Sequence, residues 1–502
     1  MNNSLFHILH NDNFPLKKLI ILSLLGFSAG LPILLIFSTL SLWLGEAGVS
    51  TSAVTYFSWA ALGYSFKFIW APIIDKLPLP VASQLLGRRR SWLLLAQFAV
   101  IASIMTMASV DPIDGLSAMA WAAVALGFSS ATQDVVIDAY RIECADAKDQ
   151  ALLSSSYIAG YRIGMVVAGA GSLYLADFFG SRSGAYAYSA WQYTYCIMSA
   201  CMLIGVVTTL LIAEPRSQQQ SEQYPYSTDS YLRFFVIFLL SIAALVSVFF
   251  WFPVIDHGIS GYLGSVINFL LAAAKLLLAL SVAIAIGFSG ATLGVVDKTM
   301  VVESYLSPIK DFFLRYGKLA LWVLLLIGFY RISDIIMGVI ANVFYQDLGY
   351  SKTDIASVTK VFGLLMTIAG SFLGGFLALR MGVMKVLLLG AILSALTNIT
   401  FMWLSTAEPT ITALSVVIAI DNLSAGLAVA AFVAWLSSLT SIEFTATQYA
   451  IFSSMMTLFP KLLGGYSGTL VESVGYSTFF LMTAIIGIPV VMLILFLQRR
   501  LS

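Results

Sequence analysis

Ala131-Thr132-Gln133-Asp134-Val135-Val136-Ile137-Asp138-Ala139-Tyr140-Arg141 closes a stretch, about 116–138, that is otherwise apolar enough to enter a bilayer. A helix needs about 20 residues to cross the hydrocarbon core. This one carries two carboxylates near its end. Asp134 and Asp138 are four positions apart, so on a helix they share a face. A carboxylate at that depth is costly and faces a bundle interior or a wet cavity, not lipid. The stretch argues for an all-α integral membrane protein in which a proton or solute passes an acidic face.

Composition agrees. Of 502 residues, 60% are hydrophobic and 10% charged, against about 25% charged in an ordinary soluble domain. A net charge of +1 points to neither nucleic acid nor an acidic partner. Cys144, Cys196 and Cys201 are too few and scattered for a disulfide framework or a metal site. The first apolar span is too long for a signal h-region and reads as a retained helix.

Fourteen spans are expected: about 19–44, 52–73, 91–109, 116–138, 152–177, 188–212, 232–252, 264–290, 319–345, 355–379, 384–404, 410–436, 446–470 and 477–498. With the N-terminus inside, 18 of the 26 Lys and Arg fall in cytoplasmic segments and only Arg182 and Lys352 in outer loops. That bias sets the orientation and places both termini in the cytoplasm. Gly48-Val49-Ser50 before the second span resembles Gly349-Tyr350-Ser351 before the tenth, and Arg162 corresponds to Lys461 at a similar offset. The organisation expected is a six-helix bundle over 1–213, a second over 318–502, and a linker with two inserted helices over 214–317. Within that linker a short helix, Ile309 to Arg315, is a candidate to lie on the membrane. Such duplication marks secondary transporters, whose site lies between the halves near the midplane.

Six bases lie inside spans: Lys67, Arg162, Lys275, Arg331, Lys360 and Lys461. The further intramembrane acids are Asp334 and Asp421. Arg331 and Asp334, three apart, are expected to pair. Arg162 and Lys461, and also Lys67 and Lys360, are candidates to offer positive charge to an anionic solute. Two carboxylates held together away from water resist double ionisation, which suits Asp134 and Asp138 to proton coupling. Asp75, Arg88 of the basic cluster Arg88-Arg89-Arg90, and Arg141 are candidate gate residues, able to make and break ion pairs as two halves rock, while the other two arginines of the cluster anchor the cytoplasmic side.

Enzyme-like strings do not hold. Gly26-Phe27-Ser28-Ala29-Gly30 lies in a membrane span with no strand before it, unlike a hydrolase elbow. Ser289 in Gly287-Phe288-Ser289-Gly290 needs a base, and the only histidines are His7, His10 and His257. No enzyme activity, cofactor or metal is expected; the driving force is a proton gradient.

Ala131 to Arg141 resembles the AmpG-type muropeptide permeases, a branch of the major facilitator superfamily. So do Gly26 to Pro32, Lys67-Phe68-Ile69-Trp70-Ala71-Pro72-Ile73-Ile74-Asp75, Leu86 to Arg90, Gly160-Tyr161-Arg162-Ile163-Gly164-Met165, Ala430 to Ala434 and Ala446-Thr447-Gln448-Tyr449-Ala450. The resemblance implies the major facilitator fold with two inserted helices, in the bacterial inner membrane. It implies proton-driven import of N-acetylglucosamine–anhydro-N-acetylmuramyl peptides for cell-wall recycling, with a link to β-lactamase induction in some bacteria. It also implies that Asp134 and Asp138 serve coupling. Asp421-Asn422 stands where the family has Glu-Asn, and Lys461 where an arginine is common; both keep charge but change reach. Candidate solute contacts are Gln133, Tyr161, Arg162, Asn422, Gln448 and Lys461, with Lys67, Lys360 and Asp421. The partners expected are a small glycopeptide and the lipid bilayer, with the chain a monomer. Other solutes left open by the residues are a peptide, a siderophore or acetyl-coenzyme A. A non-transporting muropeptide sensor is the alternative from another class, disfavoured because no soluble output domain follows from the sequence.

Overall fold

The computed structural model describes residues 16–49, 57, 62–79, 81–144, 146, 149–181, 185–215, 226–251, 262–464 and 467–501. Among them every regular element is helical. Eleven helices are long and apolar enough to cross a membrane, and Leu277–Thr292 is a shorter apolar one. Of the fourteen expected spans, the second is broken in this structure. Leu62–Phe66, a 3-10 turn Lys67–Ile69 and Ala71–Lys76 follow one another, and most of 50–61 lies outside the described residues.

The chain divides into two units. The first comprises Met1–Ala71, Leu79–Gln220 and Tyr316–Ser502. Its leading helices are α1 (Leu16–Ile36), α2 (Arg88–Ala108), α3 (Leu116–Glu143), α4 (Gln150–Val166), α5 (Tyr188–Cys201) and α6 (Leu203–Leu211). The second unit, Pro72–Pro78 and Ser221–Arg315, holds α7 (Thr228–Trp251), α8 (Tyr262–Thr292) and α9 (Ser307–Tyr316). The first unit resumes with α10 (Ala320–Phe329), α11 (Ile332–Asp347), α12 (Gly363–Met381), α13 (Val383–Leu404), α14 (Ile411–Leu439), α15 (Thr445–Gly464) and α16 (Ser467–Leu501, bent at Gly475).

Within the first unit, α4 packs along α1, α2 along α3, and α12 and α13 along α14. Small residues permit this. A Cβ at Gly160 of α4 would lie 1.9 Å from the Ser23 carbonyl oxygen of α1, and one at Gly26 would lie 2.2 Å from the Tyr157 carbonyl oxygen. Helices that bury no apolar surface against water associate through such close backbone approach. At the end opposite the arginine cluster, Trp43 stacks on Trp191 with centroids 5.7 Å apart, and Glu46 Oε2 accepts from Trp191 Nε1 at 2.9 Å.

The two halves of the first unit meet through α4 with α12 and α14, and through α3 with α15. The meeting is one-sided. Residues 129–142 of α3 and 150–160 of α4 are all buried, as are 444–450 around the start of α15. Further along α4, Tyr161 and Arg162 are half-buried and Ile163 and Val166 exposed. The buried layer lies at the end carrying Arg88 to Arg90, so the halves are packed together there. In the second unit, α7 and α8 pack together, Lys275 Nζ lies 4.7 Å above the Phe249 ring, and the short helix expected near Ile309 spans Ser307–Tyr316.

Candidate functional site

The closed layer is built around Asp138. Its Oδ2 lies 3.7 Å from Lys67 Nζ, and its Oδ1 accepts from Arg141 Nη2 at 3.3 Å. Lys67 reaches it from the 3-10 turn that interrupts the second span. Lys67, a candidate solute contact from the sequence, is buried beside a carboxylate. Unpaired burial would cost its ammonium several kcal/mol.

Arg141 joins the halves. Its Nη1 donates to Ser154 Oγ of α4 at 2.9 Å and to Ser437 Oγ of α14 at 2.8 Å. The guanidinium lies 5.2 Å from the Tyr449 ring centre of α15 and 6.0 Å from that of Tyr157. A second bridge runs from Ser155 Oγ to the Ser371 carbonyl oxygen at 2.7 Å. One turn deeper on α3, Asp134 is buried, and its Oδ1 has no hydrogen-bond partner among the described residues. A buried carboxylate oxygen without a hydrogen-bond partner bears a desolvation cost that no described hydrogen bond offsets.

Other expected residues are placed as follows. Gln133 is fully buried, with Ser28 Oγ 3.5 Å from its Oε1; it faces the interior of the first half. Gln448 Oε1 accepts from the Ser441 amide at 2.7 Å, shaping the turn before α15. Asn422 Oδ1 accepts from Thr367 Oγ1 at 2.9 Å, and Asp421 Oδ1 from Thr397 Oγ1 at 3.2 Å. Lys360 is exposed on a π-helical turn, Ala356–Phe362. Lys461 is on α15, its side chain outside the described set. Asp75 is buried on Ala71–Lys76 in the second unit, and Arg88 opens α2.

One expectation is corrected. Arg331 and Asp334 do not form an ion pair; Asp334 Oδ1 accepts from Ser394 Oγ, and Arg331 Nε is buried without a partner. The helix is interrupted between Phe329 and Ile332, with Arg331 at the N-cap of α11, so the three-residue spacing does not bring the charges together. Two acids went unnoticed in the sequence. Glu143 holds the buried Arg89 through Oε1, 2.6 Å from Nη2. Glu214 accepts from the Arg89 and Arg90 amides at 2.7 and 3.1 Å, capping α2. Their signal was only that each acid follows an apolar span closely. Burial pushes the Glu214 carboxyl above its ordinary value, and the two amides partly offset this.

The sequence profile of the Major Facilitator Superfamily matches residues 22–329 and 323–501. A "Putative transporter AmpG 4" of Rickettsia conorii is 30% identical over 479 residues, covering 95% of this chain and 96% of that one.

The chain belongs to the major facilitator superfamily, among the AmpG transporters.

The "Anhydromuropeptide permease" of Escherichia coli K12 is 28% identical over 491 residues, covering 97% of this chain and 81% of that protein. Solved structures share the fold. The proton:xylose symporter XylE superposes with a TM-score of 0.64 at 13% identity, covering 96% of this chain and 95% of that one. FucP in the outward conformation gives 0.56 at 11%, covering 95% and 98%. The major facilitator fold expected from the sequence is therefore borne out, and the chain is a multi-pass membrane transporter rather than an enzyme.

Proposed function

We propose that this AmpG transporter is a proton-coupled symporter that imports anhydro-muropeptides into the bacterial cytoplasm by alternating access. In this reading it works as a monomer in the inner membrane with both termini inside. The observation that carries the proposal is Asp138, which balances Lys67 while fixing Arg141 across the boundary between halves.

The sign of the coupling follows from charge. With Asp138 ionised, its carboxylate pairs with both Lys67 and Arg141, and Arg141 is aimed at Ser437. A proton arriving from the open side first meets Asp134, whose Oδ1 is unmatched. Passed one turn along α3 to Asp138, it cancels the carboxylate charge. Lys67 and Arg141 then lose the carboxylate that stands within ion-pair distance of both, a state worth several kcal/mol less than the paired one. Opening the layer to water relieves that cost, so protonation drives the basic end open and releases the solute there. Inflow of a proton thus favours inflow of a solute. The substrate assignment draws on the resemblance and on the name of the Escherichia coli relative.

Labelled anhydro-muropeptide supplied to cells lacking their own permease tests this. Accumulation that disappears with a protonophore is expected. Accumulation indifferent to the gradient removes the coupling, and binding without accumulation would make the protein a sensor.

A further inference from the structure

Two carboxylates of the second half meet the same turn of α13. Asp334, near the head of α11, accepts from Ser394 Oγ, and Asp421 of α14 has its Oδ1 3.2 Å from Thr397 Oγ1. Both acids are half-buried, and neither has an ion pair among the described residues. Asp138, by contrast, has two cations against it. The threonine shows how the charge is balanced here. Thr397 Oγ1 also lies 3.0 Å from the Ser394 carbonyl oxygen, and a hydroxyl has one hydrogen to give. With Asp421 ionised, two acceptors compete for that hydrogen. With Asp421 protonated, the acid donates to Thr397 Oγ1 and the threonine donates to the carbonyl, so each group is matched.

Asn398 supplies an independent sign. It is 1% exposed and lies four residues after Ser394, on the face of α13 that meets Asp334. Its Nδ2 donates at 2.6 Å to Ser333 Oγ, the neighbour of Asp334, while its Oδ1 has no partner among the described residues. A buried acceptor without a donor is costly, and a second anion beside it adds to that cost where a neutral carboxyl does not. The elements packed against α14 carry Arg162 and Tyr161 on α4, Lys360 on the π-helical turn, and Lys461 and Tyr449 on α15. Arg380 and Lys385 lie exposed at the basic ends of α12 and α13, and Arg331 precedes Asp334 by three residues.

We propose that Asp334 and Asp421 form a second proton-binding site, in the half opposite Asp134 and Asp138, with the proton held on Asp421 against Thr397. The proton keeps α11, α13 and α14 joined through one turn of α13. Its loss leaves like charges on both sides of that turn, which repel. The site is separate from the packed layer around Asp138 and does not depend on the muropeptide reading.

Infrared difference spectra of the purified full chain in lipid nanodiscs, without solute and stepped through pH, test this. Wild type is expected to show a protonated carboxylic acid band at neutral pH that Asp421→Asn loses. Thr397→Val, close in size but without the hydroxyl, is expected to keep the band at a shifted frequency, because the acid has lost its acceptor. Asp334→Asn is expected to change the pH at which the Asp421 band disappears. A wild type with no such band at neutral pH would overturn the site without recourse to any variant. So would an Asp421→Asn spectrum identical to wild type, or a Thr397→Val band that does not shift. An unchanged pH in Asp334→Asn would overturn the pairing of the two acids.

Discussion

Asp138 and Asp134 share a face, yet their surroundings differ. Asp138 is committed to Lys67 and Arg141, whereas Asp134 keeps one oxygen unmatched. Asp138→Asn mimics the protonated state permanently. Gradient-driven accumulation in proteoliposomes should fall at least tenfold, about 1.4 kcal/mol, while exchange of labelled for unlabelled solute persists; normal accumulation would exclude Asp138 from coupling. Glu214 gives a pH prediction outside the spans. Its folded-state carboxyl ionises above the ordinary value because it is buried, so the folded chain holds this proton longer than the unfolded chain. The contribution to stability therefore falls as pH rises from the unfolded value through the folded one. Melting temperature across that window should be flatter in Glu214→Gln than in wild type. The acidic face was legible because two carboxylates at helical spacing in an apolar run have few explanations. The placement of Lys67 beside Asp138 was not, because an isolated base in a span reads alike whether it meets a solute or a carboxylate.

Helices here are positioned by small residues and by interruptions. Gly160→Ala would drive a methyl into the Ser23 carbonyl oxygen, since its Cβ would lie 1.9 Å away. Separating α4 from α1 should cost about 1–3 kcal/mol or more, read as a lower melting temperature in detergent; an unchanged value would contradict the close crossing. Glycine spacing in Gly160 and Gly164 already signalled such packing. The interruptions carried no comparable signal. The 3-10 turn at Lys67–Ile69, the break before Ile332 and the π-helical turn at Ala356–Phe362 lie in runs whose apolar pattern is continuous. Each interruption moves a basic residue off the register an ideal helix would give it, which is why the expected Arg331–Asp334 pair does not form.

Two halves closed at the basic end predict that fixing this layer stops transport. Cysteines replacing Ser154 and Ser437, in a background lacking Cys144, Cys196 and Cys201, stand where two hydroxyls bond one Arg141 nitrogen at 2.9 and 2.8 Å. A short bifunctional thiol reagent should join them and abolish uptake until it is cleaved; uptake that continues in the joined protein would rule out opening at this layer. Sequence by itself determined the solvent of this protein and much of its plan. Sixty per cent apolar residues in long runs can be accommodated only by a bilayer, and a carboxylate pair inside such a run must turn from lipid. The motifs of Ala131 to Arg141 carried the family. Tertiary structure decided which charges meet. Arg141 finds Ser437 nearly three hundred residues away. Local spacing encodes which face a residue occupies, because a helix repeats every 3.6 residues. It does not encode what another helix places opposite that face, and for buried charges the opposite face sets both the cost and the function.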